Sequence, residues 1–157
     1  MLHTEVDEQV ETKLTRIAEI AKEKPTERFT SLAHLLDKQM LWDCHLELSA
    51  NKATGIDQVT KAAYEENLDR NLDDLIARLK RKGYRPQASR RTYIPKDEKS
   101  KRPLGIPAYE DKIVQKGIHK ILEAIYEQDF MNLSYGFRSG RGQHDALRAL
   151  DRIMMTQ

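Results

Sequence analysis

Ile113, Val114, Gly117, Ile118, Ile121, Leu122, Ile125 and Tyr126 recur two per turn at the 3.6-residue period of an α-helix, over a length that strands rarely sustain. A helix striped in this way must be covered, so the chain has to supply other helices to pack on it. It does so at the same period. Val6, Val10, Leu14, Ile17 and Ile20 or Ala21 predict a first amphipathic helix that Pro25 stops. A second is expected from Thr30 or Ser31, either one a good N-cap, with Leu32, Leu35, Leu36, Met40, Leu41, Cys44 and Leu48 on one broad face. Thr60 caps a third, whose inner side carries Tyr64, Leu68, Leu72, Leu75, Ile76 and Leu79 and whose C-terminal stop is Gly83. After a loop with three glycines, SYGFRSGRGQ, a last stripe runs through Ala146, Leu147, Leu150, Ile153 and Met154.

β-structure is signalled in one place. Thr92, Tyr93 and Ile94 favour one strand and Leu104, Gly105 and Ile106 a second. Pro95, Pro103 and Pro107 lack an N–H and suit strand ends or an edge. The expected fold is α+β and mostly helical, with about five helices and one projecting basic hairpin.

Charge then marks that hairpin as more than a turn. From Arg78 to Arg102 stand eleven Lys or Arg against two acidic residues, in a chain of net charge only +2. The rest of the sequence is therefore acidic, and the positive field is localised as an anionic partner requires. Charged residues make up 33% of the chain, above the roughly 25% of an ordinary globular protein, so the core is modest or shared. Cys44 is the single cysteine and sits among Leu41, Trp42, Leu46 and Leu48. It reads as a buried apolar side chain in a reducing compartment, not a reactive thiol. The N-terminus is acidic and without an apolar h-region, and no apolar run approaches about 18 residues. A soluble, cytoplasmic chain with no membrane partner is expected. His144 and Asp145 have no metal-ligand spacing with other His or Cys and read as polar residues at a helix start.

Three blocks stand in order: ANKATGIDQVT at 50–60, RRTYIPKDEKSKRPLGIPAYEDKIVQKGIHKILEAIYEQDF at 90–130 and SYGFRSGRGQHDAL at 134–147. Together they resemble the amino-terminal part of group II intron-encoded reverse transcriptases, or maturases, from about residue 30 to the end. The resemblance implies the fingers subdomain of a right-hand polymerase with a truncated palm. It divides the chain into an N-terminal helical extension at 1–28, a fingers region at 29–133, and a Gly-Phe-Arg loop and helix leading toward the palm at 134–157.

In that family the first block resembles a loop beside the RNA template, which assigns Asn51, Lys52, Thr54 and Gly55 to template binding. The second resembles the hairpin that folds over the incoming nucleotide. By its Ile-Pro-Lys and Arg-Pro-Leu-Gly-Ile-Pro motifs, Lys96 and Arg102 hold the triphosphate, and Arg90 and Ile106 lie beside the template and nascent pair. Arg91, Lys99 and Lys101 join the RNA-binding set. The residue chemistry agrees, since a triphosphate needs several positive donors on a rigid edge, and Arg offers a fork where Lys offers a point charge. The third block implies that Gly136, Phe137 and Arg138 approach the primer and template, Arg138 touching phosphate with Phe137 packed beneath it.

A polymerase of this kind needs two divalent ions held by carboxylates about 3.5 to 4 Å apart. In the family these come from a later Asp-bearing strand and a Tyr-Ala-Asp-Asp turn, neither of which is in the sequence. Two Mg²⁺ ions are thus expected of a complete polymerase and no metal of this chain, which alone is expected to be inactive. RNA or an RNA–DNA duplex, deoxynucleoside triphosphates, and palm and thumb regions are the expected partners. A non-catalytic RNA-binding module and a retron-like or diversity-generating polymerase are the alternatives.

Overall fold

The structure, a computed structural model, describes residues 2–97 and 100–155. Among them are six α-helices, one 3₁₀ turn and a two-stranded antiparallel hairpin. The striped helix, α5 (Tyr109–Tyr126), is the centre of the body. Helix α1 (Leu2–Glu23) and helix α2 (Lys38–Glu47) pack on it and on each other, and α4 (Leu68–Lys80) packs on α2. Met40, Leu41, Cys44, Leu72, Leu75 and Ile113 are fully buried where these helices meet, and Val10 and Ile17 carry α1 into the same core. Gly117 lets the helices close in, because a Cβ there would lie 2.7 Å from Leu36 Cδ2. Only one ridge of the α5 stripe is covered. Ile113, Val114, Gly117 and Ile121 face inward, whereas Ile118, Leu122 and Tyr126 remain exposed.

The structure corrects three boundaries. The second helix does not start at Thr30 or Ser31: Leu35 enters the core from a 3₁₀ turn, Ala33–Leu35, and the N-cap is Asp37. Asp37 Oδ1 accepts from the Met40 amide at 2.9 Å while Oδ2 holds Lys13 of α1 at 2.5 Å, so one carboxylate both caps the helix and ties it to its neighbour. The third helix is broken into α3 (Lys61–Glu65), capped by Thr60 as expected, and α4. Asn67 leaves helical geometry between them, and the Asn71 side chain takes the freed Tyr64 carbonyl at 2.9 Å, which lets Tyr64 and Leu68 both reach the core. At the end of α4 the left-handed residue is Lys82 (φ 57°), not Gly83. The Gly83 amide bonds Arg78 O at 2.9 Å and the Lys82 amide bonds Leu79 O at 3.1 Å, the double closure of a Schellman motif.

Strands β1 (Arg90–Pro95) and β2 (Lys101–Ile106) pair in unbroken register, Arg90 opposite Ile106, Thr92 opposite Leu104, Ile94 opposite Arg102 and Pro95 opposite Lys101. No helix packs extensively on them, so the hairpin projects from the N-terminal end of α5. Helix α6 (Gln143–Met155) follows the three-glycine loop and has no buried residue. Asp145 sits in its first turn and accepts from the Gly142 amide at 2.9 Å, the helix-start role expected of it.

Candidate nucleic-acid interface

Alternation along the strands sorts the hairpin's cations by face, because residues directly opposite each other project to the same side. Arg90, Thr92, Ile94 and their partners Ile106, Leu104 and Arg102 share one face. Lys96 lies just beyond the ladder, exposed, with its amide bonded to Ser100 O at 3.0 Å. Arg91, Tyr93, Pro95 and Lys101 occupy the other face. Of the two residues assigned to triphosphate, Arg102 lies on the first face and Lys96 just past the end of the ladder, and Arg91 and Lys101, assigned to RNA, share the opposite face. Arg90 and Ile106, both expected beside the template, are direct cross-strand partners. Asp97 is taken up by the turn itself, accepting from the Ser100 amide at 2.7 Å and from Ser100 Oγ at 2.6 Å. Lys99 lies outside the described residues. Among the described residues Arg91, Lys96, Lys101 and Arg102 have no acidic partner.

The first block closes onto the base of this hairpin. Arg90 Nε donates to Thr54 O at 3.0 Å, and Lys112 Nζ, from the first turn of α5, donates to Ala53 O at 2.5 Å. Gly55 is buried, and a Cβ there would sit 2.5 Å from Ala108 Cα and 2.7 Å from Pro107 O, so only glycine lets the loop lie flat against the hairpin's exit. Thr54 also donates from Oγ1 to Gln58 at 3.1 Å. Asn51 and Lys52 stay exposed on the outer side of the loop. Burial lowers the Lys112 ammonium's pKa, and Arg90 and Lys52 push it the same way against Asp57.

Two residues that fix this geometry were not singled out in the sequence. Asp111, buried in the first turn of α5, accepts from the Tyr84 hydroxyl and, at 2.9 Å, from the Gln87 amide, and so holds the segment that leads into β1. Burial, then this bond to Asp111, raises the Tyr84 pKa. Glu110 beside it accepts from Arg78 at 2.7 Å and from the Tyr64 hydroxyl at 3.3 Å. Their signal was there, since acidic residues in a first turn complement the helix dipole. What the pattern could not name is the partner, which lies more than 20 residues away in sequence.

Gly136, Phe137 and Arg138 are apart from the hairpin, at the far end of α5, a helix of 18 residues and so about 27 Å long. Phe137 does not pack beneath Arg138. It stands fully exposed at φ 58°, and it is Phe130 that lies 5.0 Å from the guanidinium carbon. Arg138 is the buried one. Its Nε bonds both Glu127 oxygens at 3.1 Å, its Nη1 bonds Met131 O at 3.0 Å and Ser134 O at 2.8 Å, and its Nη2 also reaches Glu127. With donors of all three nitrogens committed, the guanidinium shapes the loop from within. Gly136 is exposed, with no atom within 4 Å of where a Cβ would be.

Cys44 is fully buried, and burial pushes its thiol up to about 12, as the apolar neighbours predicted. Among the described residues no three His, Cys, Asp or Glu side chains gather to hold a metal ion, and no helix is long and apolar enough to cross a membrane.

Fold and charge together define a class, a helical body that presents a projecting cationic hairpin against a small-residue loop. No family model matches the chain. Curated relatives do: it is 36% identical over 141 residues to the group II intron-encoded protein LtrA of Lactococcus lactis subsp. cremoris, covering 88% of this chain and 24% of that protein. Protein YkfC of Escherichia coli (strain K12) is 44% identical over 96 residues, 61% of this chain and 25% of the relative. Nuclear intron maturase 4, mitochondrial, of Arabidopsis thaliana is 33% identical over 78 residues, 50% of this chain and 10% of the relative. The chain is homologous to group II intron-encoded proteins and intron maturases, and it spans about a quarter of the length of the first two.

Proposed function

We propose that this chain forms the fingers of a group II intron reverse transcriptase, an RNA-directed DNA polymerase, and grips template or intron RNA and the incoming nucleoside triphosphate. One observation carries the reading. The hairpin carries cations that have no acidic partner among the described residues, Arg102 on one face, Arg91 and Lys101 on the other, and Lys96 just past the end of the ladder. A triphosphate is held by Lys96 and Arg102, the second as a two-pronged donor. Arg91, Lys99 and Lys101 neutralise RNA phosphates and release their counterions. Arg90 and Ile106, joined across the strands and tied to Thr54, lie beside the templating base, with Asn51, Lys52, Thr54 and Gly55 following the RNA backbone. Gly136 and Phe137 approach the primer and template from the far end of α5, shaped by Arg138 from within.

The metal-dependent bond-forming step belongs to palm and thumb regions of a complete polymerase, where two Mg²⁺ ions would stabilise the attacking and leaving oxygens. What this chain contributes is position and charge around the nucleotide and template. In a complete polymerase carrying this hairpin, Arg102→Ala raises nucleotide KM or lowers kcat while template binding stays nearly intact. The loss of a charge-assisted contact, roughly 1.5 to 3 kcal/mol, is on the order of tenfold or more in kcat/KM. Arg102→Lys recovers part of it. Steady-state kinetics beside RNA titration decide the matter. Nucleotide kinetics left unchanged by Arg102→Ala, or RNA binding weakened as much as catalysis, would make the hairpin a template clamp only.

A further inference from the structure

We infer that the knuckle at the C-terminal end of α4, made of Lys80, Arg81, Lys82 and Arg85, is a second contact for RNA phosphates, separate from the hairpin and held near it. The inference rests on the reading of the hairpin as an RNA surface. All four side chains are exposed, and none has an acidic partner among the described residues. The acids of α4 are engaged elsewhere: Asp69 and Asp73 each hold Lys38 at 2.7 Å, and Asp74 holds Arg78 at 2.7 Å. Cations in the last turn of a helix suit its dipole, and Arg78 and Lys80 already fill that role. Arg81, Lys82 and Arg85 lie past it.

The backbone is bent to present them. The left-handed residue of the Schellman closure is Lys82, at φ 57°, although Gly83 next to it would adopt that conformation without strain. Gly83 instead makes room for Arg81, since a Cβ there would lie 3.2 Å from Arg81 Nε and 3.3 Å from its Cγ. Beyond the knuckle, Tyr84 and Gln87 are both held by Asp111 at the first turn of α5, the same helix end from which the hairpin projects. Six Cα–Cα steps separate Arg85 from Arg91, so their backbones are at most about 20 Å apart. One structured RNA can touch both.

The chemistry favours RNA over an acidic protein. Protein interfaces are built on aromatic and apolar anchors and are poor in Lys. This knuckle offers four cations around a glycine, with Tyr84 turned inward to Asp111. Phosphates require only spaced positive charge, and this surface continues the hairpin's.

The test measures binding of the whole 157-residue chain to a fluorescein-labelled RNA stem-loop by anisotropy, from about 50 to 200 mM KCl. Four variants are compared: K80A/R81A/K82A/R85A, R91A/K101A, the two sets combined, and Lys82→Gly. The knuckle set should weaken low-salt binding about tenfold and flatten the slope of log K against log salt by roughly two units, the hairpin set should flatten it separately, and the combination should lose both. Lys82→Gly removes strain and charge together, so its Tm should rise while RNA affinity falls about twofold to threefold. A purely structural knuckle would not move stability and binding in opposite directions. An unchanged slope in the knuckle set, with the hairpin set still losing slope, overturns the second contact and leaves the hairpin reading standing. Wild-type chain without salt-dependent RNA binding overturns both. Polyglutamate that displaces RNA from the wild type as well as equal RNA charge does makes the surface one for acidic protein, which also overturns it.

Discussion

The helical body and the hairpin contain the same basic residues and use them in opposite ways. In the body Lys13 holds Asp37, Lys38 holds Asp69 and Asp73, Lys116 holds Glu47, Lys120 holds Asp43 and Glu47, and Arg78 holds Glu110 and Asp74. Most of these pairs cross from one helix to another, so the charge is spent inside the chain on fixing helix positions. In the hairpin Arg91, Lys96, Lys101 and Arg102 have no acidic partner among the described residues, and strand pairing holds them close together. Crowded like charges repel, and a fold retains such an arrangement only where something else compensates. These paired cations of the body serve the fold, and under the proposed function the hairpin's serve a ligand.

The largest expected effects break the body and spare the hairpin. Ile113→Ala, in the fully buried centre of α5, should cost about 2 to 5 kcal/mol of stability, whereas Leu104→Ala on the projecting hairpin should change it by under about 1 kcal/mol. Urea unfolding of the two variants checks this. Equal losses would mean that the hairpin is part of the core. Next comes the joint between the regions. Asp111→Ala leaves the Tyr84 hydroxyl and Gln87 amide without their acceptor, a loss of roughly 1 to 3 kcal/mol. Its hydrogen exchange should quicken at Gln87 before the α5 amides respond. Simultaneous quickening in both would place Asp111 in the global core instead.

A smaller effect belongs to pH. His45 is fully buried, its Nδ1 3.0 Å from the Tyr109 hydroxyl and its Nε2 3.9 Å from Glu65 Oε2, with no hydrogen-bond partner at Nε2 among the described residues. Burial, then Lys61, lowers its pKa, and Glu65 opposes them. The unfolded imidazole takes up a proton below its ordinary pKa of about 6.5, while the folded one resists until lower pH. Its contribution to stability is therefore present above about pH 6.5 and is lost as pH falls from there toward the depressed folded value. Thermal melts across pH 5 to 8, roughly the range of a histidine switch, should show this slope in the wild type and a flatter one in His45→Phe. An unaltered slope in the variant would assign it to another group.

The body was legible in the sequence because periodicity reports which side of a helix is buried. Val10, Ile17, Leu72, Leu75, Ile113 and Ile121 are where the stripes placed them. Helix starts were less legible, because Thr30 and Asp37 are both good caps and the tie of Asp37 to Lys13, a residue of another helix, has no local signal. Strand pairing was legible from β-formers and prolines, and the strand period then gave the two faces. Arg138 was not. Gly-Phe-Arg does not say which side chain turns inward, and the answer lies in Glu127 and two carbonyls that only the folded loop brings round the guanidinium.

The division of charge is tested most directly by salt. RNA affinity of the 157-residue chain, titrated at several KCl concentrations, gives a slope that counts the phosphates neutralised. Replacing Arg91 and Lys101 together by Ala should flatten that slope by roughly one and a half units, whereas Lys116→Ala, which removes a body pair at 2.7 Å from Glu47, should leave it unchanged. A slope indifferent to the hairpin charges, or lowered as much by Lys116→Ala, would contradict the claim that this chain keeps its hairpin cations for an anionic ligand.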